Sequence, residues 1–233
     1  MRVRFLGHAC FEISGDSGTI IIDPFLRNNP LAAAHPDDFG QLQAILVSHG
    51  HGDHLGDAIE ISRRSGAPIV ATYELARHCE RLGANVHAMH IGGKHAFPFG
   101  LVKLTLALHG SSFETPEEEE QGLYAGPACG FLVQMEGKWL YHAGDTGLFG
   151  DMELIGRRHQ LALAMLPIGD NYVMGIDDAV YAAQLLRAPR VVPMHYNTFP
   201  AIEQNVDDFL NALHRRAPES RGYALQPGEY LDI

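Results

Sequence analysis

The stretch Val47-Ser48-His49-Gly50-His51-Gly52-Asp53-His54 places four candidate metal ligands within six positions: His49, His51, Asp53 and His54. Imidazole and carboxylate donors suit Zn²⁺, and also Mn²⁺ or Fe²⁺. His49 and His51 lie two apart. In an extended chain end alternate side chains point to one side, so both imidazoles can face one ion. Gly50 and Gly52 remove bulk and allow a sharp turn. Asp53 and His54 then stand at the entrance of a helix and reach a point beside the first ion. The geometry therefore suggests two ions, one per pair. Chance would produce H-x-H-x-D-H in roughly 0.3% of chains of such composition. The competing readings are an exposed histidine-rich loop and a closed structural zinc site, and the latter favours cysteines.

Further donors follow a single rule of placement. Asp23 ends Thr19–Ile22, His49 ends Ile45–Ser48, His109 ends Leu104–Leu108, Asp145 follows Trp139–Gly144, and His195 ends Val191–Met194. Each sits just past an apolar run of strand character. Taken singly, a histidine at a strand end is more often surface or satisfied core. Taken with the opening motif, these residues describe one metal-bearing sheet edge.

The elements that must hold them alternate. Strand-like runs are Val3–Leu6, Cys10–Ser14, Thr19–Ile22, Ala44–Val47, Pro68–Ala71, Leu101–Leu108, Cys129–Met135, Lys138–His142, Leu161–Leu166, Arg190–Met194 and a last piece near Tyr230. Helix-like runs are Gly56–Ser65, Tyr73–Leu82, Asp151–Arg158, Ile176–Arg187 and Ile202–Arg215. Phe131–Met135 and Trp139–His142 flank Glu136-Gly137 as a hairpin. Hairpins mixed with strand–helix alternation argue for two packed mixed sheets with outer helices, not one doubly wound sheet. The 233 residues, 46% hydrophobic, fit one domain over 1–233 with ample core.

Composition narrows the partners. Seventeen basic residues stand against 28 acidic, a net charge of −11, and Lys/Arg occur in no cluster beyond short pairs. Nucleic acid and an anionic membrane are therefore not expected partners. MRVRFLGHACFEI shows no signal-peptide pattern, and no run approaches 18 apolar residues. Cys10, Cys79 and Cys129 are isolated and odd in number, so reduced, buried thiols in a cytoplasmic protein are expected, with a thiolate ligand as the lesser alternative. The acidic run Pro116–Gln121 reads as a solvated loop, or as a flap because it closely follows His109.

The order Asp23, His49-x-His51-x-Asp53-His54, His109, Asp145, His195 resembles the metallo-β-lactamase fold superfamily. Leu6-Gly7-His8-Ala9-Cys10-Phe11, Ile22-Asp23-Pro24-Phe25, His142-Ala143-Gly144-Asp145-Thr146, Pro167-Ile168-Gly169-Asp170-Asn171 and Pro193-Met194-His195-Tyr196-Asn197-Thr198-Phe199-Pro200 are similar to small metal-dependent hydrolases akin to the ascorbate-6-phosphate lactonases. The resemblance covers nearly the whole chain. It implies a four-layer αβ/βα sandwich carrying a dinuclear site at one edge. It assigns His49, His51 and His109 to one ion and Asp53, His54 and His195 to the other. Asp145 bridges them, and Asp23 orients ligands from behind. The superfamily's oxygen-reducing di-iron branch usually has a carboxylate where this chain keeps His51, so hydrolysis is the expected chemistry.

Two divalent ions are therefore expected, Zn²⁺ first, with Mn²⁺ or Fe²⁺ as alternatives. Such a centre lowers the pKa of a bound water toward neutrality and so provides hydroxide for an ester, lactone, amide or phosphoester. Asp53 can accept a hydrogen bond from the attacking water and pass a proton on, in addition to binding metal. His8, Asn171 and Tyr196 are candidate substrate contacts, each weighed against a structural role. Lys94 reads as a solvated loop lysine, and His142 as facing away from Asp145 or supporting it. A small-molecule substrate is the expected partner, with a homo-oligomer admitted. A phosphodiesterase or nuclease, and a non-catalytic metal-binding module, are the competing functions.

Overall fold

The computed structural model describes residues 1–113 and 122–233. The acidic run Pro116–Gln121, with its loop and flap readings, lies outside the described residues. Two seven-stranded mixed sheets form the body. The first holds β1 (Arg2–Gly7), β2 (Cys10–Gly15), β3 (Gly18–Ile22), β4 (Ala44–Leu46), β5 (Ile69–Thr72) and β6 (Val86–Met89), with the last strand, β16 (Tyr230–Asp232), beside β1. The second runs from β7 (Lys94–Phe97) and β8 (Gly100–Leu106) through β11 (Cys129–Met135), β12 (Lys138–His142), β13 (Leu161–Pro167) and β14 (Arg190–Met194) to β15 (Arg221–Gly222). β9 (Ser112–Phe113) and β10 (Leu123–Tyr124) pair in a small separate ribbon.

Strand alternation builds the layers. On β3, Ile20 and Ile22 enter the core shared by the two sheets, together with Phe11 and Phe131. Ile21 points the other way, into a second core with Ile61, Leu75 and Ala76. Those last residues belong to α2 (Ala58–Ser65) and α3 (Tyr73–Arg81), which pack on β5 and β6. On the far side α4 (Met152–Arg158), α5 (Ile176–Leu186) and α6 (Val206–Arg216) pack on one another and cover the second sheet through β13 and β15. The result is helix, sheet, sheet, helix, the four-layer sandwich expected.

The hairpin expected at Glu136-Gly137 is present. β11 and β12 pair antiparallel from Met135↔Lys138, with positive φ at both turn residues (51° and 78°), the backbone of a type I′ turn. All three cysteines are free and buried. Burial pushes their thiol pKa values up, that of Cys79 to about 12. No cysteine belongs to a group of converging metal donors among the described residues.

Several boundaries differ from the sequence expectation. The helix after the histidine motif is two helices. A four-residue α1 (Gly52–Leu55) carries Asp53 and His54 itself, so they stand inside a helix, not at its entrance. It ends at Gly56, whose φ is +42° and where a Cβ would lie 2.5 Å from the Pro24 carbonyl oxygen. The last helix begins at Val206, not Ile202, because Pro200–Ile202 forms a 3₁₀ turn and Asn205 caps the new start by accepting from the Asp207 N–H. The strand ahead of His109 stops at Leu106, and the Leu108 N–H donates to Thr146 Oγ1 instead. Lys94 opens β7 and is exposed on a strand, not in a loop.

Candidate metal centre

The parallel strands β3, β4, β13 and β14 deliver their C-terminal ends to one edge, as does β12 from the second sheet. Asp23 follows β3, His49 follows β4, Asp145 follows β12 and His195 follows β14. His109 and the helix α1 complete the ring. The opening strand turn brings in His8, between β1 and β2. Three of these residues hold left-handed backbone: His8 (φ 58°), Asp23 (φ 46°) and His195 (φ 55°). Each such non-glycine conformation costs of order 1 kcal/mol, and surrounding structure must hold it. It does so here, for the His195 N–H donates to the His8 carbonyl oxygen at 2.8 Å and the Asp23 N–H to that of Leu46 at 2.9 Å.

Asp145 sits at the middle. Its Oδ1 lies 3.1 Å from His54 Nε2. Its Oδ2 lies 2.9 Å from His195 Nε2, 3.6 Å from His109 Nε2 and 4.0 Å from His49 Nε2. Donor atoms of His49, His51 and His109 fall within 4.8 Å of one another, and so do those of His8, Asp53, His54 and His195. His49, His54 and Asp145 form a third such group that joins the two.

Asp23 anchors this arrangement from behind, fully buried. Its Oδ1 accepts from the Ser48 N–H at 2.8 Å, and its Oδ2 from Ser48 Oγ at 2.7 Å. His54 Nδ1 lies 2.8 Å from the same Oδ2, so that nitrogen carries the proton and Nε2 keeps its lone pair. Ser48 Oγ, having given its hydrogen to Asp23, accepts from His49 Nδ1 at 3.0 Å, so His49 Nε2 keeps its lone pair, which faces His51 Nδ1 at 2.9 Å. Such backing of a ligand's distal nitrogen fixes its tautomer and ring plane. His142 is buried on a separate pair of bonds: it accepts from the Gly144 N–H and donates to the Ala9 carbonyl oxygen. It thereby supports the turn that carries Asp145.

The residues fit a cation. His54 Nε2, Asp145 Oδ1 and His195 Nε2 are buried and have no hydrogen-bond partner. Buried polar atoms are rarely left in that state, and convergent lone pairs are what an ion would satisfy. Burial pushes the His49 and His109 pKa values down, which keeps them neutral and able to ligate. Burial would raise that of Asp145, but the charges of His195 and His54 hold it well below the usual carboxylate range.

His8 is buried, and its ring holds Asp53. Its Nε2 lies 3.2 Å from Asp53 Oδ2, and its Nδ1 lies 2.9 Å from Thr198 Oγ1. Burial lowers its pKa to about 4, so the ring is neutral. With Nε2–H donated to Asp53, Nδ1 accepts from Thr198. Asp53 is 29% exposed and turned to an open cleft. Burial would raise its pKa, but the His8 hydrogen bond and the His54 charge bring it below the usual range. The two other substrate candidates lie apart from these contacts. Asn171 is exposed with φ 43°, its N–H donating to Asp170 Oδ1. Tyr196 packs half-buried against the main core.

Ser48 and Thr198 lie inside the motifs, but the sequence gives neither a role. Ser48 is the residue ahead of the first histidine, and Thr198 follows His195 by three, but neither type by itself signals a site. Gly50 has a packing reason: a Cβ there would lie 2.6 Å from Ala125 Cβ and 2.8 Å from the Ser112 carbonyl oxygen. Gly52 has open space around it.

A model of the β-lactamase superfamily domain matches residues 18–196. A metal-dependent hydrolase of the UPF0173 group from Desulfitobacterium hafniense (strain Y51) is 65% identical over all of this chain and 99% of its own length. One from Pelotomaculum thermopropionicum is 52% identical, with both chains covered in full. Among solved structures, Igni18, a metallo hydrolase from the archaeon Ignicoccus hospitalis, superposes with a TM-score of 0.88 at 34% identity, over 99% of this chain and 97% of that one. An isothiocyanate hydrolase from Delia radicum gut bacteria shares the fold at 18% identity and a TM-score of 0.78, over 100% and 99% of the two chains. The chain belongs to the β-lactamase superfamily and, within it, to the UPF0173 metal-dependent hydrolases.

Proposed function

We propose that this hydrolase works with a dinuclear centre and cleaves a small-molecule ester, lactone or phosphoester. In this reading His49, His51 and His109 hold one ion, Asp53, His54 and His195 hold the other, and Asp145 bridges the two. The observation that carries it is the position of Asp145. One carboxylate lies within 4.0 Å of histidines from both donor groups, with His54 on one oxygen and His195, His109 and His49 on the other. A single-ion site would need only one of these groups. The donor set suits Zn²⁺, with Mn²⁺ or Fe²⁺ as alternatives.

Two ions so placed supply a water of lowered pKa and positive charge for the oxygen that develops in the transition state. The chain's own residues do the rest. Asp23 and Ser48 fix the His54 and His49 rings, so the ligands need no reorganisation on binding. His8 holds Asp53 Oδ2 and so sets the direction of its other oxygen. Asp53 is ionised and faces the cleft, the state and place a proton acceptor requires. His8 is thus a positioning residue for Asp53.

The test is a panel of lactones, p-nitrophenyl esters, bis-p-nitrophenyl phosphate and RNA, each assayed with the chelated protein and after restoring Zn²⁺ or Mn²⁺. Metal-dependent turnover of the small substrates is expected, at least about 100-fold above the chelated protein, a modest share of what metal activation of water can supply. Turnover of RNA alone would sink the small-molecule reading. The acidic net charge of −11 weighs against that outcome.

A further inference from the structure

Beside the donor groups opens a cleft of about 610 Å³, within the size range of small-molecule sites. His51 and Asp53 form part of its wall, so it is continuous with the centre. Much of the remaining wall is apolar: Phe25, Leu55, Ile59, Leu82 and Phe113. Leu82 is 41% exposed, and Leu55 and Ile59 are half-buried. Phe25 and Phe113 are themselves buried, so among the described residues the accessible apolar surface at this mouth is that of Leu82, Leu55 and Ile59.

The polar part of the wall offers an anion only neutral donors, such as Asn28 and Ser112. Among the described residues no Lys or Arg lines the cleft. Arg27, beside the lining residue Asn28, is tied to Glu60 at 2.7 Å. Asp57 turns its Oδ2 to the N–H groups of Leu26 and Arg27, at 3.0 and 2.9 Å. The His78 ring stacks on Phe113 with centroids 3.7 Å apart. Burial, and then the charge of Arg81, lower its pKa, so it is neutral near pH 7. With no Lys or Arg in the wall, a phosphate lodged in the cleft away from the metal centre would be held beside Asp57 by neutral groups alone, at a desolvation cost.

We infer that the cleft takes an uncharged, apolar acyl chain, so that the substrates are apolar esters or lactones and not phosphorylated ones. This rests on the hydrolytic reading of the centre. Each methylene buried against Leu55, Ile59, Leu82 and Phe113 strengthens binding by roughly fourfold.

Turnover tests it first. On the zinc-reconstituted protein, kcat/KM should rise at least about tenfold from p-nitrophenyl acetate to the hexanoate, a conservative share of four methylenes. Gluconolactone should be preferred over its 6-phosphate. Leu82→Asp, at a half-exposed position that tolerates charge, should bring the hexanoate-to-acetate ratio toward one. A flat chain-length series, or preference for the phosphorylated lactone, overturns the inference. A second measurement needs no turnover: ligand-observed NMR with hexanamide and acetamide. Hexanamide should bind at least about fivefold more tightly, and Leu82→Asp should abolish the difference. Equal binding of the two amides overturns the inference whatever the assays show. Tighter hexanamide binding without hydrolysis of any ester would leave the apolar cleft standing and remove the hydrolytic reading alone.

Discussion

Asp145→Ala is expected to empty both halves of the centre at once. Its carboxylate lies close to histidines of both donor sets, 3.1 Å from His54, 2.9 Å from His195 and 3.6 Å from His109. Without it each half keeps three donors but loses the anion that offsets two divalent charges at close range. Hydrolytic activity should fall at least about 10³-fold, equivalent to about 4 kcal/mol of transition-state stabilisation. The fold should survive, because Asp145 lies past the end of β12 and outside both hydrophobic cores. The check pairs elemental analysis with far-ultraviolet circular dichroism. A folded Asp145→Ala protein that keeps its full metal content would overturn the bridging assignment.

The second large effect belongs to a residue that touches no substrate. Asp23 accepts from the Ser48 N–H, the Ser48 hydroxyl and His54 Nδ1, and all three partners are buried. Asp23→Ala leaves three buried donors without acceptors at about 1–3 kcal/mol each, so a loss of roughly 3–9 kcal/mol of stability is expected. Freed of Asp23, His54 can rotate or take the other tautomer. Ser48 can then turn from His49 as well. Metal affinity should fall by about 10–100-fold. Asp23→Asn keeps one acceptor oxygen and should lie between the two. Urea unfolding and chelator competition measure the two effects separately. Unchanged affinity in a folded Asp23→Ala protein would show that Asp23 is structural only.

The comparison of these two aspartates shows what the sequence makes legible. Both were found by one rule, an acid just past an apolar strand, because parallel strands deliver their C-terminal ends to a common edge. The same rule located His49 and His195. It was looser for His109, where the chain leaves β8 at Leu106 and is anchored instead through Thr146. The histidine motif stands beside the expected strand-end donors, but its local backbone differs from the expected one. Asp53 and His54 occupy a separate short helix because Gly56 breaks the chain against Pro24, a tertiary contact with no local signal. His8 was ambiguous for a similar reason. Its partners, Asp53 and Thr198, are 45 and 190 residues away, so no periodicity links them. The short strands β6, β7 and β15 were not recognised. The first two are edge strands with half-exposed or exposed side chains, including His87, Lys94 and His95, so they lack the apolar run that marks an inner strand.

Acid should weaken the centre. Burial works against protonating His54, yet Asp145 and Asp23 together raise its pKa well above the ordinary value. As pH falls a proton therefore competes with an ion for the Nε2 lone pair, and binding loses strength. The central claim is the pair of ions, and metal stoichiometry tests it most directly. The purified protein, stripped and reloaded with Zn²⁺ near neutral pH and passed over a desalting column, should carry two equivalents per chain by elemental analysis. One equivalent, or none, at saturating metal would contradict the dinuclear account.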